Sequence, residues 1–302
     1  MQITLGQPYS FCQRGSRLYQ EDARYPDCDS PQAPKPFFLV CDGVGGSAFG
    51  EVASTTVCKA FGQALDLFDW TLPFTLHDLS KTLGKAYKAL DRAAGSHNAD
   101  MATTLALVVF HRGGCLMAHI GDSRVYQIRP SVGILYRSED HSLVGSMVRQ
   151  GSISADEVAT HPKRSAITRY MEPSRPGRQR FAATVCQTVD VKDGDYFLLC
   201  SDGVLDKADE DAIVDLLCGS CNDWQKVEQL AERCATSQDN NTAILIPVAK
   251  VCGGCMPDEY ACCQDVVTQR IKCSQPLYVQ DVSPKDESFT ESIYRFIDNI
   301  LN

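Results

Sequence analysis

The stretch Phe37-Phe38-Leu39-Val40-Cys41-Asp42-Gly43-Val44-Gly45-Gly46, running on through Gly50-Glu51-Val52-Ala53-Ser54, constrains this chain more than any other. Phe37 to Cys41 is a short apolar run of the kind a sheet buries on both faces. It delivers the Asp42 carboxylate to a strand end. Gly43, Gly45 and Gly46 take away the side chains that would crowd it and permit backbone angles closed to other residues. Val52, Ala53, Val57, Phe61, Ala64 and Phe68 then recur at helical spacing, which predicts a helix with one apolar stripe. A carboxylate beside bare backbone suits a hard cation, because Mg2+ and Mn2+ take oxygen ligands and a glycine carbonyl can supply one. A capping Asp in a tight strand-to-helix turn reads the same way, so the rest of the chain has to decide.

The rest repeats the feature. Asp195 to Cys200 is a second apolar strand ending in an acidic turn, Ser201-Asp202-Gly203. Asp239-Asn240-Asn241 precedes a strand over Thr242 to Val248. Glu21-Asp22 closes a polar segment from Arg14, and Gly121-Asp122-Ser123-Arg124 breaks the run between strands at Cys115 to Ile120 and Val125 to Ile128. Carboxylates at several strand ends can converge on one sheet edge. Two cations about 3.5–4 Å apart in such a place can hold a bridging hydroxide and polarise a phosphoryl oxygen.

Between these points the pattern predicts an opening strand over Ile3 to Cys12, a loop over Tyr25 to Pro36, and a second amphipathic helix over Phe74 to Ala93. A strand pair, Thr103 to Phe110 and Cys115 to Ile120, turns at His111-Arg112-Gly113-Gly114. Leu143, Val144, Met147 and Val148 suggest a short helix. Helices over Ile213 to Leu217 and Trp224 to Cys234 complete the set. Composition excludes some classes. The chain of 302 residues carries 38 acidic and 29 basic side chains, a net charge of −9, which argues against non-specific nucleic-acid binding. Met1 to Leu5 shows no signal-peptide pattern, and the run Leu105 to Phe110 is too short to span a bilayer. The expectation is a cytoplasmic protein whose 15 cysteines are thiols, or metal ligands where they cluster.

In order along the chain, eight stretches resemble the type 2C metal-dependent serine/threonine protein phosphatases in their compact bacterial form. They are Arg17-Leu18-Tyr19-Gln20-Glu21-Asp22-Ala23; Asp42-Gly43-Val44-Gly45-Gly46 with Gly50 to Ser54; Ala102-Thr103-Thr104-Leu105; Gly121 to Tyr126; Asp140-His141-Ser142-Leu143-Val144; Ala166-Ile167-Thr168-Arg169; Leu199 to Val204; and Asp239 to Ala243. The resemblance covers Leu5 to Val248 and implies an α+β fold, a four-layer α/β/β/α sandwich with two antiparallel sheets at its centre. It implies Mn2+ or Mg2+, two ions or three, and hydrolysis of phosphoserine and phosphothreonine in proteins by a hydroxide held between the cations, opposing a bacterial-type kinase. By resemblance Asp42 bridges both ions and Gly43 lends one its carbonyl. Asp202 and Asp239 bind the other, Glu21 reaches the second ion directly or through water, Asp22 orients metal-bound water, and Arg17 holds the substrate phosphate. A guanidinium suits that task because its fork matches two phosphate oxygens. Asp122 sits where bacterial relatives place a third metal; a turn aspartate is the other reading.

Three positions depart from the family pattern. Gln20 stands for Asn, Val44 stands where many eukaryotic members have a histidine, and Tyr170-Met171-Glu172 replaces a small glycine-containing sequence in the flap. Ser123 and Ser201 lie in no nucleophile-elbow pattern. His141 reads as a capping or packing residue of the flap, and Asn240 as a turn residue or a support behind the ligands, not a ligand. A catalytically weak phosphoprotein-binding module on the same scaffold is the reading from another class, which the complete acidic set disfavours.

Composition changes after Ala249. The chain divides into a catalytic domain, 1–249, and a cysteine-rich extension, 250–302, ending in an amphipathic helix with Ile293, Phe296, Ile297, Ile300 and Leu301. Cys252-Gly253-Gly254-Cys255 with Cys262, Cys263 and Cys273 could form a structural Zn2+ site or a loose thiol-rich extension. Cys218 and Cys221 read as packing.

Overall fold

The computed structural model describes residues 1–28, 34–44, 49–95, 100–158, 160–253 and 279–283. Two antiparallel sheets lie face to face. The first holds β1 (Gln2–Leu5), β2 (Tyr9–Gln13), β7 (Arg124–Arg129), β8 (Gly133–Arg137), β10 (Tyr196–Cys200) and β11 (Asn241–Cys252). Its order is β1-β11-β10-β7-β8, and β2 pairs with the first half of β11, on the stretch that precedes β1's pairing. The second sheet runs β12-β9-β6-β5-β4-β3, from Val279–Val282, Ala183–Thr188, Gly114–Ile120, Leu105–His111, Phe37–Cys41 and Ala23–Tyr25.

Three apolar layers follow from period-two alternation. Phe38, Val40, Val108, Phe110, Met117, Phe197, Leu199, Ile244 and Ile246 fill the space between the sheets. The opposite face of the second sheet, with Phe37, Leu39, Leu107 and Leu116, packs under α1 (Gly50–Asp66) and α2 (Leu76–Ala94). Leu198, Cys200 and Leu245 of the first sheet meet α5 (Glu210–Cys218) and α6 (Asp223–Cys234). The result is the α/β/β/α sandwich. Burial on both faces explains why all five residues of β4 are buried and apolar.

The helices start where side chains satisfy orphan amides. Thr75 and Asp78 form a capping box at α2, Asn222 and Gln225 one at α6, and Asp209 caps α5. Two shorter helices, α3 (Leu143–Arg149) and α4 (Asp202–Leu205), complete the described set.

Some expectations change. The opening strand is broken at Gly6-Gln7-Pro8 into β1 and β2, because β11 is long enough to pair with two short strands in succession. Val52, expected on the apolar stripe of α1, is 41% exposed. Tyr25, expected in a loop, pairs with Leu39. Tyr170-Met171-Glu172, expected in the flap, is held in the core: Met171 is fully buried and exchanges backbone hydrogen bonds with Thr103, and Glu172 is gripped by Arg175 and Arg178. The boundary expected after Ala249 falls inside β11, whose Lys250, Val251 and Cys252 pair with Thr4, Ile3 and Gln2. Val279–Val282 adds an edge strand to the second sheet. Cys255, Cys262, Cys263, Cys273 and the expected terminal helix lie outside the described residues.

Candidate active site

Strand register gathers the acidic residues. Ala23 pairs with Cys41, Val40 with Ala106, Leu105 with Ile120, and Cys200 with both Arg124 and Ala243. Each of Asp22, Asp42, Asp122, Asp202 and Asp239 lies within a few residues of one of these pairs. All therefore reach the same edge of the sandwich, where the two sheets meet.

Asp42 is fixed through its backbone. Its amide donates to Thr104 Oγ1 (2.9 Å), and its carbonyl accepts from Thr104 N and Thr103 Oγ1 (both 2.8 Å). Thr104 Oγ1 in turn lies 2.6 Å from Ser123 Oγ, which ties the Asp42 turn to the Asp122 turn. Glycine is required at two points. A Cβ on Gly43 would lie 2.6 Å from the Gly50 carbonyl carbon, and one on Gly203 only 2.0 Å from the Asn240 carbonyl oxygen. These close approaches bring the Asp42 turn against α1 and the Asp202 turn against Asp239-Asn240.

Asp22 is 6% exposed. Its Oδ2 accepts from Ser201 Oγ (2.8 Å), whose oxygen accepts from Thr242 N (2.9 Å). Its Oδ1 is buried with no hydrogen-bond partner. Ser201 is thus a fully buried support for Asp22 and not a nucleophile. It was not legible as a support, although its place beside Asp202 was the available signal.

Electrostatics mark the cluster as a site with excess negative charge. Burial, then Asp22, Asp202 and Asp122, push Asp42 well above the usual carboxylate range. Burial followed by Asp202 and Asp140 raises Asp122 to about 8. Burial raises Asp22 to about 7, against its hydrogen bond from Ser201. Asp202 rises to about 6 through burial and then Asp239. Glu21 is also raised, by burial against the pull of Arg17, with Asp239 and Glu51 adding to the rise. Carboxylates that repel one another this strongly are characteristic of functional sites.

The donor set fits hard divalent cations. It is all oxygen, the partnerless Asp22 Oδ1 sits within it, and the glycine turns leave room for backbone approach. Among the described residues no three acidic, His or Cys groups are already drawn around one point. Asp239 is occupied otherwise: its Oδ2 accepts from Arg17 Nη2 at 2.5 Å. Arg17 therefore stands beside the expected metal ligands and is paired to one of them. With the two side chains 44% and 32% exposed, such a pair is worth about 0–1 kcal/mol and is readily exchanged.

Asn240 organises the loop that carries Arg17 and Glu21. Its Oδ1 accepts from Glu21 N (2.8 Å), and its Nδ2 donates to the carbonyls of Arg14 (2.8 Å) and Tyr19 (2.9 Å). The expected turn residue is thus a three-way clamp. Gln20 does local work, its Oε1 accepting from Asp22 N and its Nε2 donating to Cys12 Sγ. His141 also positions the edge. Its Nδ1 accepts from Gly121 N (3.0 Å) and its Nε2 meets Thr184 Oγ1 (2.9 Å), with His119 stacked at 4.5 Å. Arg124 binds Asp140 through two hydrogen bonds of 2.7 Å and reaches Glu210 at 3.0 Å, anchoring the start of the 138–180 segment to α5. A cavity of about 820 Å3, lined by Ile3, Lys35, Trp70, Phe110 and His111 among others, lies at the far end of the strands and holds none of these carboxylates.

Comparison with known proteins agrees with this geometry. The sequence pattern of the family described as Protein phosphatase 2C matches residues 21–236. The chain is 30% identical over 181 residues to a putative protein phosphatase 2C-type of Streptococcus pyogenes, covering 59% of this chain and 71% of that one. It is 29% identical over 268 residues to the serine/threonine protein phosphatase PstP of Mycobacterium tuberculosis, covering 87% of this chain but 46% of PstP, so it spans about half of that relative's length. A crystal structure of the PstP catalytic domain in complex with two manganese ions superposes with a TM-score of 0.67 at 25% identity, covering 82% of this chain and all of that one. The serine/threonine phosphatase Stp1 from Staphylococcus aureus gives 0.69 at 27% identity, covering 82% and 96%.

Proposed function

The chain belongs to the protein phosphatase 2C family, and we propose that it hydrolyses phosphoserine and phosphothreonine in proteins with the help of two divalent cations, Mn2+ or Mg2+. The observation that carries this reading is the mutually repelling set of buried Asp22 and half-buried Asp42, Asp122 and Asp202 at one sheet edge, with Arg17 beside it. Asp42 and the Gly43 carbonyl, with Asp202, Asp239 and Glu21, would hold the two cations, and Asp122 a third. Bound there, divalent cations supply Lewis acidity and neutralise charge that develops on the phosphoryl oxygens.

The chain's own residues do the rest. Arg17 leaves Asp239 and takes two oxygens of the phosphate, which its planar fork matches. That fixes phosphorus over the carboxylates for in-line displacement. Asp22 Oδ2 is committed to Ser201, so Oδ1 is the atom free to accept a proton from the attacking water. Thr103, Thr104 and Ser123 hold the Asp42 and Asp122 turns in place, so little reorganisation accompanies the reaction. Val44 has no proton to give, so water or another group protonates the departing alcohol.

The counterpart of this activity is a serine/threonine kinase that installs the phosphate. A cytoplasmic setting fits the eleven cysteines of the described residues, which are thiols. Among those residues no helix is long and apolar enough to cross a membrane. The division into a phosphatase domain and a C-terminal extension, with a zinc site formed by its cysteines, is retained as a proposal that metal analysis of the purified protein tests.

The decisive assay is phosphate release from a phosphothreonine peptide with Mn2+ or Mg2+, with and without excess chelator. Release that depends on the cation supports the reading. A protein that binds the peptide without releasing phosphate under any cation would instead be a binding module.

A further inference from the structure

Apolar side chains stand in the open beside the carboxylate edge. Leu18 is 82% exposed, Tyr19 72% and Phe49 46%. Leu18 and Tyr19 directly follow Arg17. Phe49 precedes Gly50, where an added Cβ would lie 2.8 Å from Glu21 Oε1, so the start of α1 abuts the Glu21 side chain. Leu18 and Tyr19 thus precede Glu21 by three and two residues, and Phe49 adjoins the glycine that abuts it. Water-facing apolar groups of this size are unfavourable unless something covers them.

Their exposure is imposed by the backbone. Asn240, 3% exposed, ties down the carbonyls of Arg14 and Tyr19 and the amide of Glu21. Ser16 N donates to Ser237 O, and Gly15, at φ +59, leaves no room for a side chain against Asp239 O. The loop is hydrogen-bonded inward at residues 14, 16, 19 and 21. That leaves the side chains of Leu18 and Tyr19 outside while Arg17 reaches Asp239. A rigid, preorganised apolar surface loses little entropy when it is covered.

On the phosphatase reading above, on which this inference rests, a protein that puts its phosphate on Arg17 must lay its neighbouring residues over this rim. We propose that Leu18, Tyr19 and Phe49 select substrates, and that the preferred class is phosphoserine or phosphothreonine peptides with apolar residues flanking the phosphorylated one. Acidic flanks would leave these apolar side chains uncovered and are the disfavoured class.

Kinetics on four substrates test this: p-nitrophenyl phosphate, and phosphothreonine peptides flanked by Leu and Phe, by Gly and Ser, or by Asp and Glu. For the parent protein with Mn2+, kcat/KM should favour the apolar-flanked peptide over the Gly/Ser peptide by about tenfold, the size expected for partly covering one or two apolar side chains. The preference should sit in KM. The double substitution Leu18→Ser, Tyr19→Ser should bring that ratio to about twofold or less and leave p-nitrophenyl phosphate hydrolysis unchanged; Phe49→Ser should lower the ratio independently. A parent that does not discriminate among the peptides, or a double variant that keeps the parent's ratio, would overturn the proposal. No hydrolysis of p-nitrophenyl phosphate by the parent would overturn the phosphatase reading, and this inference with it.

Discussion

Asp42 faces Asp22, Asp122 and Asp202 at once, which makes it the residue whose charge matters most. Asp42→Asn should lower turnover by about 10³-fold or more, in line with loss of a group central to charge stabilisation. It should also raise the melting temperature of the metal-free protein, because it removes one repelling carboxylate from a buried cluster. A lowered melting temperature would show that Asp42 is held by attraction instead. Arg17 is the second test at this scale. Arg17→Ala should raise KM for a phosphoester about tenfold or more, and Mn2+ affinity should not weaken, since Arg17 now occupies the Asp239 carboxylate a cation would use. Weakened Mn2+ binding measured by calorimetry would place Arg17 among the supports of the metal site. Individual residues were legible in the sequence where a backbone peculiarity announced them, as at Asp42-Gly43. Ser201 was not legible as a support, and Asn240 was legible as a turn or supporting residue but not its partners. Their roles depend on partners 179 and 219 positions away, respectively Asp22 and Glu21, which only the closed sandwich brings near.

Elements converge on the site because antiparallel register places the ends of β4 and β10 and the starts of β3, β5, β7 and β11 at one edge. The geometry that gathers these carboxylates also concentrates their repulsion. Burial raises Asp22 to about 7 and Asp122 to about 8, above the ordinary carboxylate value that holds in the unfolded chain. A raised carboxylate binds more protons folded than unfolded, so its stabilising contribution is complete below the unfolded pKa and is lost as pH rises through the folded value. Metal-free protein should therefore melt progressively lower between about pH 6 and pH 8, and Mn2+ or Mg2+ should restore several degrees at the upper end. A melting temperature flat with pH in chelator would contradict the described cluster. The strands and helices with strong periodicity, β4, β5, β6, β10, α2 and α6, were legible. Strands β3, β8 and β9 were not, because Ala23–Tyr25 is only three residues and Gly133–Arg137 and Ala183–Thr188 hold no long apolar run; they take extended form by pairing with a neighbour.

Across the whole molecule, the two-sheet sandwich was legible through the order of its motifs, and the outer boundary was not. Composition shifts at Ala249, yet β11 continues to Cys252 because Gln2 and Ile3 offer it partners, and Val279–Val282 closes the free edge of β9. A chain ending at Gly253 should keep both sheets and hydrolyse p-nitrophenyl phosphate at close to the full-length rate. It should melt a few degrees lower for want of the edge strand. An insoluble product would make the extension part of the folding unit. On the proposed function, one set of carboxylates centred on Asp42 holds the cations on which phosphate release depends. Calorimetric titration of Mn2+ into the full-length protein and into Asp42→Asn, both first stripped with chelator, tests it most directly. Two or more ions per chain in the parent, with both affinities lost or sharply weakened in Asp42→Asn, is the predicted result; equal stoichiometry and affinity in the two proteins would contradict it.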